Sequence, residues 1–217
     1  MSRTVAVIVE STSKRAFATA VDWPGWSRSG KTEALALAAL AEAATRYAAV
    51  AQEAGERFDA APLEVVERTA GGASTDFGVP SAITELDRRP VSAGEAARLV
   101  RFVAAAWTVL DRVVAGAPPE LRKGPRGGGR DRDKIVGHVD GADHAYSGVM
   151  GIRVPAPHRS DPSTVQAMRA AILETLGRPS DGSPIAGRTW PPRYAAGRIA
   201  WHALDHAWEI EDRSEPA

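Results

Sequence analysis

The 217-residue chain contains no cysteine, and this absence excludes several kinds of site. Disulfide bridges, thiolate zinc sites, iron–sulfur clusters and a cysteine nucleophile all require that side chain. Any bound metal would therefore have to be held by histidine, aspartate or glutamate.

The chain also lacks an excess of either charge, because 27 basic residues balance 27 acidic ones. No overall field attracts nucleic acid or an anionic membrane, so neither is an expected partner. No apolar run approaches the roughly 20 residues that a membrane span needs, and Val5–Val9 is shorter than the core of a signal peptide. We therefore expect a cytoplasmic protein.

The first 70 residues predict a small module of mixed α and β structure. Val5–Val9 and Ala16–Val21 are rich in β-branched residues and flank a polar turn, which predicts a hairpin. From Thr32 to about Ala54 apolar residues recur at helical spacing, and Leu63–Thr69 predicts a third strand. The resulting ββαβ unit is small enough to need a partner surface for stability.

Four longer helical patterns follow residues 71–91, an irregular segment that we interpret as a linker. The helices are predicted at about Ser92–Gly116, Asp131–Ile152, Pro162–Leu176 and Pro192–Arg213. Four amphipathic helices of this length predict a bundle over residues 92–217. The predicted fold class is therefore α+β, with a ββαβ module followed by a four-helix bundle.

Three histidines on two of these helices suggest a metal site. His202 and His206 are four residues apart, so they leave one face of the last helix and can converge on one ion. His138 belongs to a row of mostly small residues on the second bundle helix and is expected to point into the bundle. Three imidazoles fit a divalent metal with one position open to water or substrate, but they do not choose among Zn, Ni and Fe.

Glu209 is the next residue on the helix face that carries His202 and His206. It is predicted either as a fourth ligand or as a catalytic acid–base group. The alternative interpretation is that the histidines lie at a bundle edge and only make hydrogen bonds. His144 and His158 are expected to be exposed and to lie outside any such site.

A loop rich in arginine and glycine, Arg122–Arg130, precedes the helix that carries His138. It ends at a helix start, where free backbone N–H groups and arginine side chains bind anions. We therefore predict that Arg126 and Arg130 bind an acidic group of a small-molecule substrate. The alternative is a solvated, flexible linker.

Gly25–Thr32 matches the phosphate-binding pattern GxxxxGK[ST] and lies between a predicted strand and a predicted helix. A nucleotide-binding sheet, however, needs several βα repeats, which the first 70 residues cannot supply. We therefore predict a structural role for this segment and no nucleotide-binding residue.

The segment Asp131–Asp143, taken with Trp201–His206, resembles the DinB/YfiT family of four-helix metalloproteins over about residues 92–213. In that family a histidine in the second helix and an HxxxH motif in the last helix hold a divalent metal. Members include S-transferases and isomerases that use low-molecular-weight thiols. The loop Arg122–Arg130 departs from the family pattern. The metal ligands that the resemblance implies are His138, His202 and His206.

The segment Ala20–Leu35 is similar to the strand–turn–helix part of the HicB-like antitoxin fold, over about residues 3–70. This resemblance implies a docking or dimerising module, so a homodimer is one expected assembly. It supplies no catalytic residue.

Two hypotheses follow for the whole chain. The first is a metal-dependent transferase or hydrolase of the DinB/YfiT type, with a mycothiol-like S-transferase as its most specific form. A low-molecular-weight thiol would then be the co-substrate. The second is a non-catalytic metal-binding or partner-binding protein that uses the bundle as a scaffold and the N-terminal module for docking.

Overall fold

The computed structural model describes residues 4–124, 128–158 and 161–214. Within these ranges a sheet of strands is followed by helices, so the predicted α+β class is confirmed. The strands are β1 (Val5–Ser11), β2 (Ala16–Ala20), β3 (Ser27–Gly30) and β4 (Leu63–Ala70). The helices are α1 (Glu33–Glu42), α2 (Ala44–Glu53), α3 (Ala73–Phe77), α4 (Ala93–Gly116), α5 (Arg132–Val149), α6 (Pro162–Leu176) and α7 (Pro192–Ser214).

The sheet has the strand order β3-β2-β1-β4 and mixes two pairing directions. Strands β1 and β2 form the predicted antiparallel hairpin, with Val7 opposite Ala20, whereas β4 runs parallel to β1. The central strand β1 is apolar over almost its whole length because both of its faces are covered. The sequence analysis missed β3, since Ser27–Gly30 is short and polar and shows no alternation of apolar residues.

The helix predicted from Thr32 to Ala54 is in fact two helices, α1 and α2, which meet at Ala43 with a bend of 53°. The bend allows α1 to pack on β2 and β3 while α2 packs on α4. Alanine continues through the break, so the sequence carries no glycine or proline to mark it. In the described ranges no single helix is long and apolar enough to cross a membrane, and α1 with α2 meets that criterion only as a bent pair.

The four long helices pack in a ring of neighbours. Helix α4 contacts α6 and α7, and α5 contacts the same two helices from the other side. The predicted capping box is present, since the Ser92 hydroxyl accepts from the Glu95 N–H at the start of α4. The four long helices predicted after residue 91 are therefore confirmed to within a few residues at their ends.

One apolar core runs from the sheet into the helices. The ring of Tyr47 on α2 stacks on Trp26, with ring centres 5.4 Å apart, and on Phe102 of α4, at 6.3 Å. The Tyr47 hydroxyl donates to the Pro24 carbonyl at 2.8 Å, and the indole N–H of Trp26 donates to the Leu40 carbonyl at 3.0 Å. Helix α4 thereby supplies the partner surface that the small module was expected to need.

The segment 71–91, predicted as a linker, is hydrogen-bonded to the sheet. The buried carboxylate of Glu10 on β1 accepts from the backbone N–H groups of Ser81 and Ala82, each at 2.9 Å, and from the Thr75 hydroxyl. Val91 then pairs with Ser180 through two backbone hydrogen bonds. These bonds hold the segment over the end of the sheet.

A buried acid lies where α4, α5 and α6 meet. Asp143 on α5 accepts from the Trp107 indole N–H at 2.8 Å, and its second oxygen has no hydrogen-bond partner within the described ranges. Burial raises the pKa of the Asp143 carboxyl to about 7, although the bond from Trp107 and the charge of Arg169 on α6 act in the opposite direction. The Asp143 carboxyl therefore keeps its proton to a higher pH than an exposed aspartate does.

We expect Asp143→Asn to change how stability depends on pH. Between about pH 4 and pH 7 the folded protein keeps a proton that the unfolded chain releases, so this group lowers the free energy of unfolding as the pH rises. Asparagine keeps the acceptor for Trp107 without the charge. The variant should therefore gain up to roughly 4 kcal/mol relative to wild type above pH 7.

Urea unfolding at pH 5 and pH 8 measures this effect, with Asp59→Asn at an exposed position as the control. A gain for Asp143→Asn that is no larger at pH 8 than at pH 5 would contradict the assignment.

Candidate metal centre

Helices α5 and α7 bring the three predicted histidines together. His202 and His206 lie one turn apart on α7, and His138 on α5 faces them across the contact between the two helices. The ring centres are 5.0 Å apart for His138–His202 and for His138–His206, and 4.7 Å apart for His202–His206. One nitrogen from each ring lies within 4.8 Å of the other two.

The cluster lies at the edge of the bundle, so the expectation that His138 points into its interior is wrong. His202 is only 6% exposed and His206 is half-buried, but His138 is exposed. The buried positions of α5 include Ile135 and Val139, and His138 stands beside that row instead of in it. The site therefore has a protein side, formed by α7, and a side open to solvent beside His138.

One distance within the cluster suits a tetrahedral ion. The Nε2 atoms of His138 and His202 are 3.3 Å apart. Two nitrogens at about 2.0 to 2.1 Å from a tetrahedral metal would lie roughly 3.3 to 3.4 Å apart. The same separation also fits one hydrogen bond between the rings, which is the alternative that the sequence leaves open.

Glu209 stands behind His206, outside the group of facing nitrogens. Its carboxylate accepts from His206 Nδ1 at 2.8 Å and from Arg213 Nη1 at 2.7 Å. The bond from His206 is the main cause that lowers the pKa of Glu209, against the effect of burial. Since a carboxylate only accepts, the proton of neutral His206 lies on Nδ1, and its Nε2 lone pair is left for an ion.

Glu209 is not part of the group whose ligand atoms lie within 4.8 Å of one another, and its two oxygens accept hydrogen bonds from His206 and Arg213. A carboxylate that orients a ligating imidazole is a common feature of metal sites. The geometry gives Glu209 this positioning role, and its predicted acid–base role stays a prediction.

The surroundings keep two of the imidazoles neutral. Burial lowers the pKa of His202 to about 2, with smaller contributions from His206 and the charge of Arg198. The exposed His138 is desolvated only in part by its neighbours, and this partial desolvation, followed by the charge of Arg130, also lowers the pKa of its imidazole. Neutral imidazole is the form that binds metal, so protons do not compete for these ligands at neutral pH.

The other two histidines lie outside the cluster. His144 is half-buried, contrary to the expected exposure, because its Nε2 lies 3.1 Å from the Val154 carbonyl in the segment after α5. His158 is exposed, as expected, and its backbone N–H donates to the Thr164 hydroxyl.

The basic loop approaches the cluster at its two ends. Its first residue, Arg122, exchanges hydrogen bonds with Arg213, the residue that also holds Glu209. At its other end Arg130 is exposed, and its charge acts on both His138 and His202. Arg126, the second predicted anion-binding residue, lies outside the described residues.

The segment with the phosphate-binding pattern is built into the sheet. Its residues Ser27–Gly30 form β3, paired with β2, and Thr32 caps α1 by accepting from the Leu35 N–H. A Cβ atom at Gly30 would lie 2.4 Å from the backbone nitrogen of Ala36, so this glycine is required by packing. These contacts give the segment the structural role that the sequence analysis assigns to it.

Comparisons of the chain with models of protein families, with curated proteins and with solved structures find no match. The two family resemblances drawn from sequence motifs therefore stay predictions.

We expect the purified protein to bind one zinc ion per chain and His138→Ala to lose most of it. His138 is exposed, so its removal should leave the helices intact while it deletes one of three ligands. Metal analysis after zinc supplementation and gel filtration measures the effect, with His144→Ala as the control. Far less than one zinc per wild-type chain would contradict the metal assignment.

We expect Glu209→Gln to weaken zinc binding without abolishing it. Glutamine cannot offer a charged acceptor to His206 Nδ1, and loss of such an orienting partner typically costs about 10- to 100-fold in affinity. Competition against a zinc-binding dye measures this change. Glu211→Gln, whose carboxylate pairs with Arg46 on the surface, is the matched control and should bind like wild type.

Proposed function

We propose that this protein is a metal-dependent enzyme that joins a low-molecular-weight thiol to a small electrophilic substrate. The observation that carries the proposal is the convergence of three imidazoles from α5 and α7, with their facing nitrogens within 4.8 Å. The site combines two neutral imidazoles, a third imidazole oriented by Glu209 and one side open to solvent. A metal held by three protein ligands in this way can exchange water for substrate at its fourth position.

The residues present suit Zn, Ni or Fe, because imidazole is a good ligand for all three. His138, His202 and His206 would hold the ion, which would lower the pKa of a thiol or water that binds to it. The protein itself supplies the hydrogen bond from His206 to Glu209 and the buried surface of α7 on one side of the cluster. It leaves the side beside the exposed His138 open to substrate.

Arg130 supports an acidic substrate. Within the described ranges it forms no ion pair, and its charge acts on the two neutral histidines that face each other. Arginine binds carboxylates well because its planar guanidinium can donate two parallel hydrogen bonds. Arg130 would therefore attract a substrate carboxylate to the open side of the cluster. The expected partners are thus a small acid and a thiol, both of low molecular weight.

The resemblance to DinB/YfiT proteins adds the reaction type. A histidine in the second long helix and an HxxxH motif in the fourth stand in the order that the family uses, and α4 to α7 are neighbours in space. We infer thiol transfer from that likeness. The HicB-like module remains a proposed docking or dimerising element.

The test is a thiol-consumption assay on the full chain supplied with Zn, Ni or Fe(II) in turn. Glutathione and mycothiol are offered with a panel of electrophiles that bear a carboxylate. The thiol sulfur forms a bond to carbon, the leaving group departs, and the thiol proton goes to solvent. Mass spectrometry detects the thioether product.

We expect product formation to follow metal content and to fall by at least about 100-fold in His202→Ala, since a catalytic metal contributes several kcal/mol of transition-state stabilisation. His144→Ala is again the control. Stoichiometric metal without any thioether would instead favour the non-catalytic hypothesis. Product that persists without metal would reject the proposed role of the histidines.

A further inference from the structure

A cavity lies between the sheet and α7, and none of the three clustered histidines lines it. Ile8 and Ala20 of the sheet, Leu99 of α4 and Trp201 of α7 give it an apolar wall, and residues 80–87 close one end. Its volume is about 90 Å³. One water needs roughly 10 to 15 Å³ on this scale, so the cavity has room for about six to nine non-hydrogen atoms. We call it the sheet–α7 pocket.

Three acidic side chains line the sheet–α7 pocket, Glu10, Asp22 and Asp87, and each already has a hydrogen-bond donor. The exposed Asp22 accepts from Arg89 at 3.4 Å. Glu10 accepts from the backbone N–H groups that hold segment 71–91, as described above. Asp87 accepts from the Thr84 N–H at 2.8 Å and from the Thr84 hydroxyl at 3.0 Å. The pocket therefore offers no unsatisfied carboxylate to attract a cationic ligand.

Three buried donors of residues that line the pocket have no acceptor in the described ranges: Nε of Arg193, Nη1 of Arg198 and Nε1 of Trp201. The Arg193 guanidinium already pairs with Glu95 and the Pro90 carbonyl through Nη2. Arg198 and Trp201 are therefore the two side chains considered for a ligand. The Arg198 guanidinium instead lies over two aromatic rings, 4.7 Å from the centre of Trp201 and 5.1 Å from that of Tyr146. Buried donors, above all a cation, are normally paired with an acceptor.

We propose that the sheet–α7 pocket binds a small molecule with an apolar body and one carboxylate, which accepts hydrogen bonds from Arg198 and Trp201. A planar carboxylate matches the fork of a guanidinium, and the apolar wall accommodates the rest of the ligand. The proximity of Glu10 and Asp87 disfavours a doubly charged phosphate. Neither residue stands among the facing nitrogens of the histidine cluster, so the proposal does not depend on a metal or on thiol transfer.

The position of the pocket gives the ligand a neighbour in the candidate metal centre. Arg198 lies one helical turn before His202 on α7, and the rings of Trp201 and His202 are 6.0 Å apart. The charge of Arg198 helps to lower the pKa of His202. A carboxylate that accepts from Arg198 would neutralise that charge.

Isothermal titration calorimetry on the full-length protein tests the proposal with benzoate as the probe, since it has an apolar ring, one carboxylate and a fitting size. Benzyl alcohol supplies the ring without the charge, and inorganic phosphate supplies charge without the ring. We expect saturable binding of one benzoate per chain. Benzyl alcohol should bind at least about tenfold more weakly because it cannot make the charged hydrogen bond, and phosphate should bind at least about tenfold more weakly because it lacks the apolar contact.

Arg198→Met keeps the apolar stem of the side chain and removes the charge, so it should weaken benzoate at least about tenfold. Trp201→Phe, which removes only the indole donor, should weaken it by a smaller factor. Arg178→Met removes an exposed arginine outside the pocket and should leave the affinity unchanged. His138→Ala should also bind benzoate normally, which separates this site from the candidate metal centre.

Equal binding of benzoate and benzyl alcohol would overturn the carboxylate assignment, and so would phosphate binding that is lost in Arg198→Met. Failure of benzoate to bind wild type would overturn it as well. If Arg198→Met does not fold by circular dichroism, Arg198→Lys replaces it as the test variant. Lysine keeps the charge but not the planar fork of the guanidinium. If Arg198→Lys and Trp201→Phe, tested separately, both bind benzoate as tightly as wild type, the proposed contacts are rejected.

Discussion

The close packing of α7 against its neighbours is the constraint on which the rest of the structure depends. Alanines such as Ala196, Ala200 and Ala203 are fully buried along this helix and allow α4, α5 and the N-terminal module to approach it. Gly25, with a φ of +88°, lies so close that a Cβ atom there would stand 3.0 Å from the Ala200 Cβ. Because α7 is enclosed in this way, its polar side chains can only occupy the gaps that its neighbours leave.

Those gaps are of two kinds, and each selects different chemistry. At the contact with α5 the gap opens to solvent, and three imidazoles fill it, of which His202 has a pKa strongly lowered by burial. At the contact with the sheet the gap is mostly apolar, and its lining includes Arg198 and Trp201, each with a buried donor that has no acceptor in the described ranges. A single buried helix thus places a set of metal-type ligands and a set of anion-type donors within one turn of each other.

Much of the secondary structure could be predicted because it follows local patterns. The hairpin, β4 and the four long helices each carry the apolar period of their type, and Ser92 with Glu95 marks the start of α4. Strand β3 and the break at Ala43 could not be predicted in this way. Strand β3 pairs with β2, and the break lets α1 pack on the sheet while α2 packs on α4. These are contacts between segments distant in the sequence, so no local pattern of residues predicts them.

The sequence by itself determined that His202, His206 and Glu209 share a face of one helix, because the 3.6-residue period fixes that arrangement locally. Only the tertiary structure decided that Glu209 lies outside the group of facing nitrogens, with one oxygen accepting from His206 and the other from Arg213. Packing also decided that His138 is exposed, and it brought the sheet against Arg198 and Trp201. These features depend on how segments that are far apart in the sequence pack against each other. Helical periodicity describes one segment only and carries no information about this packing.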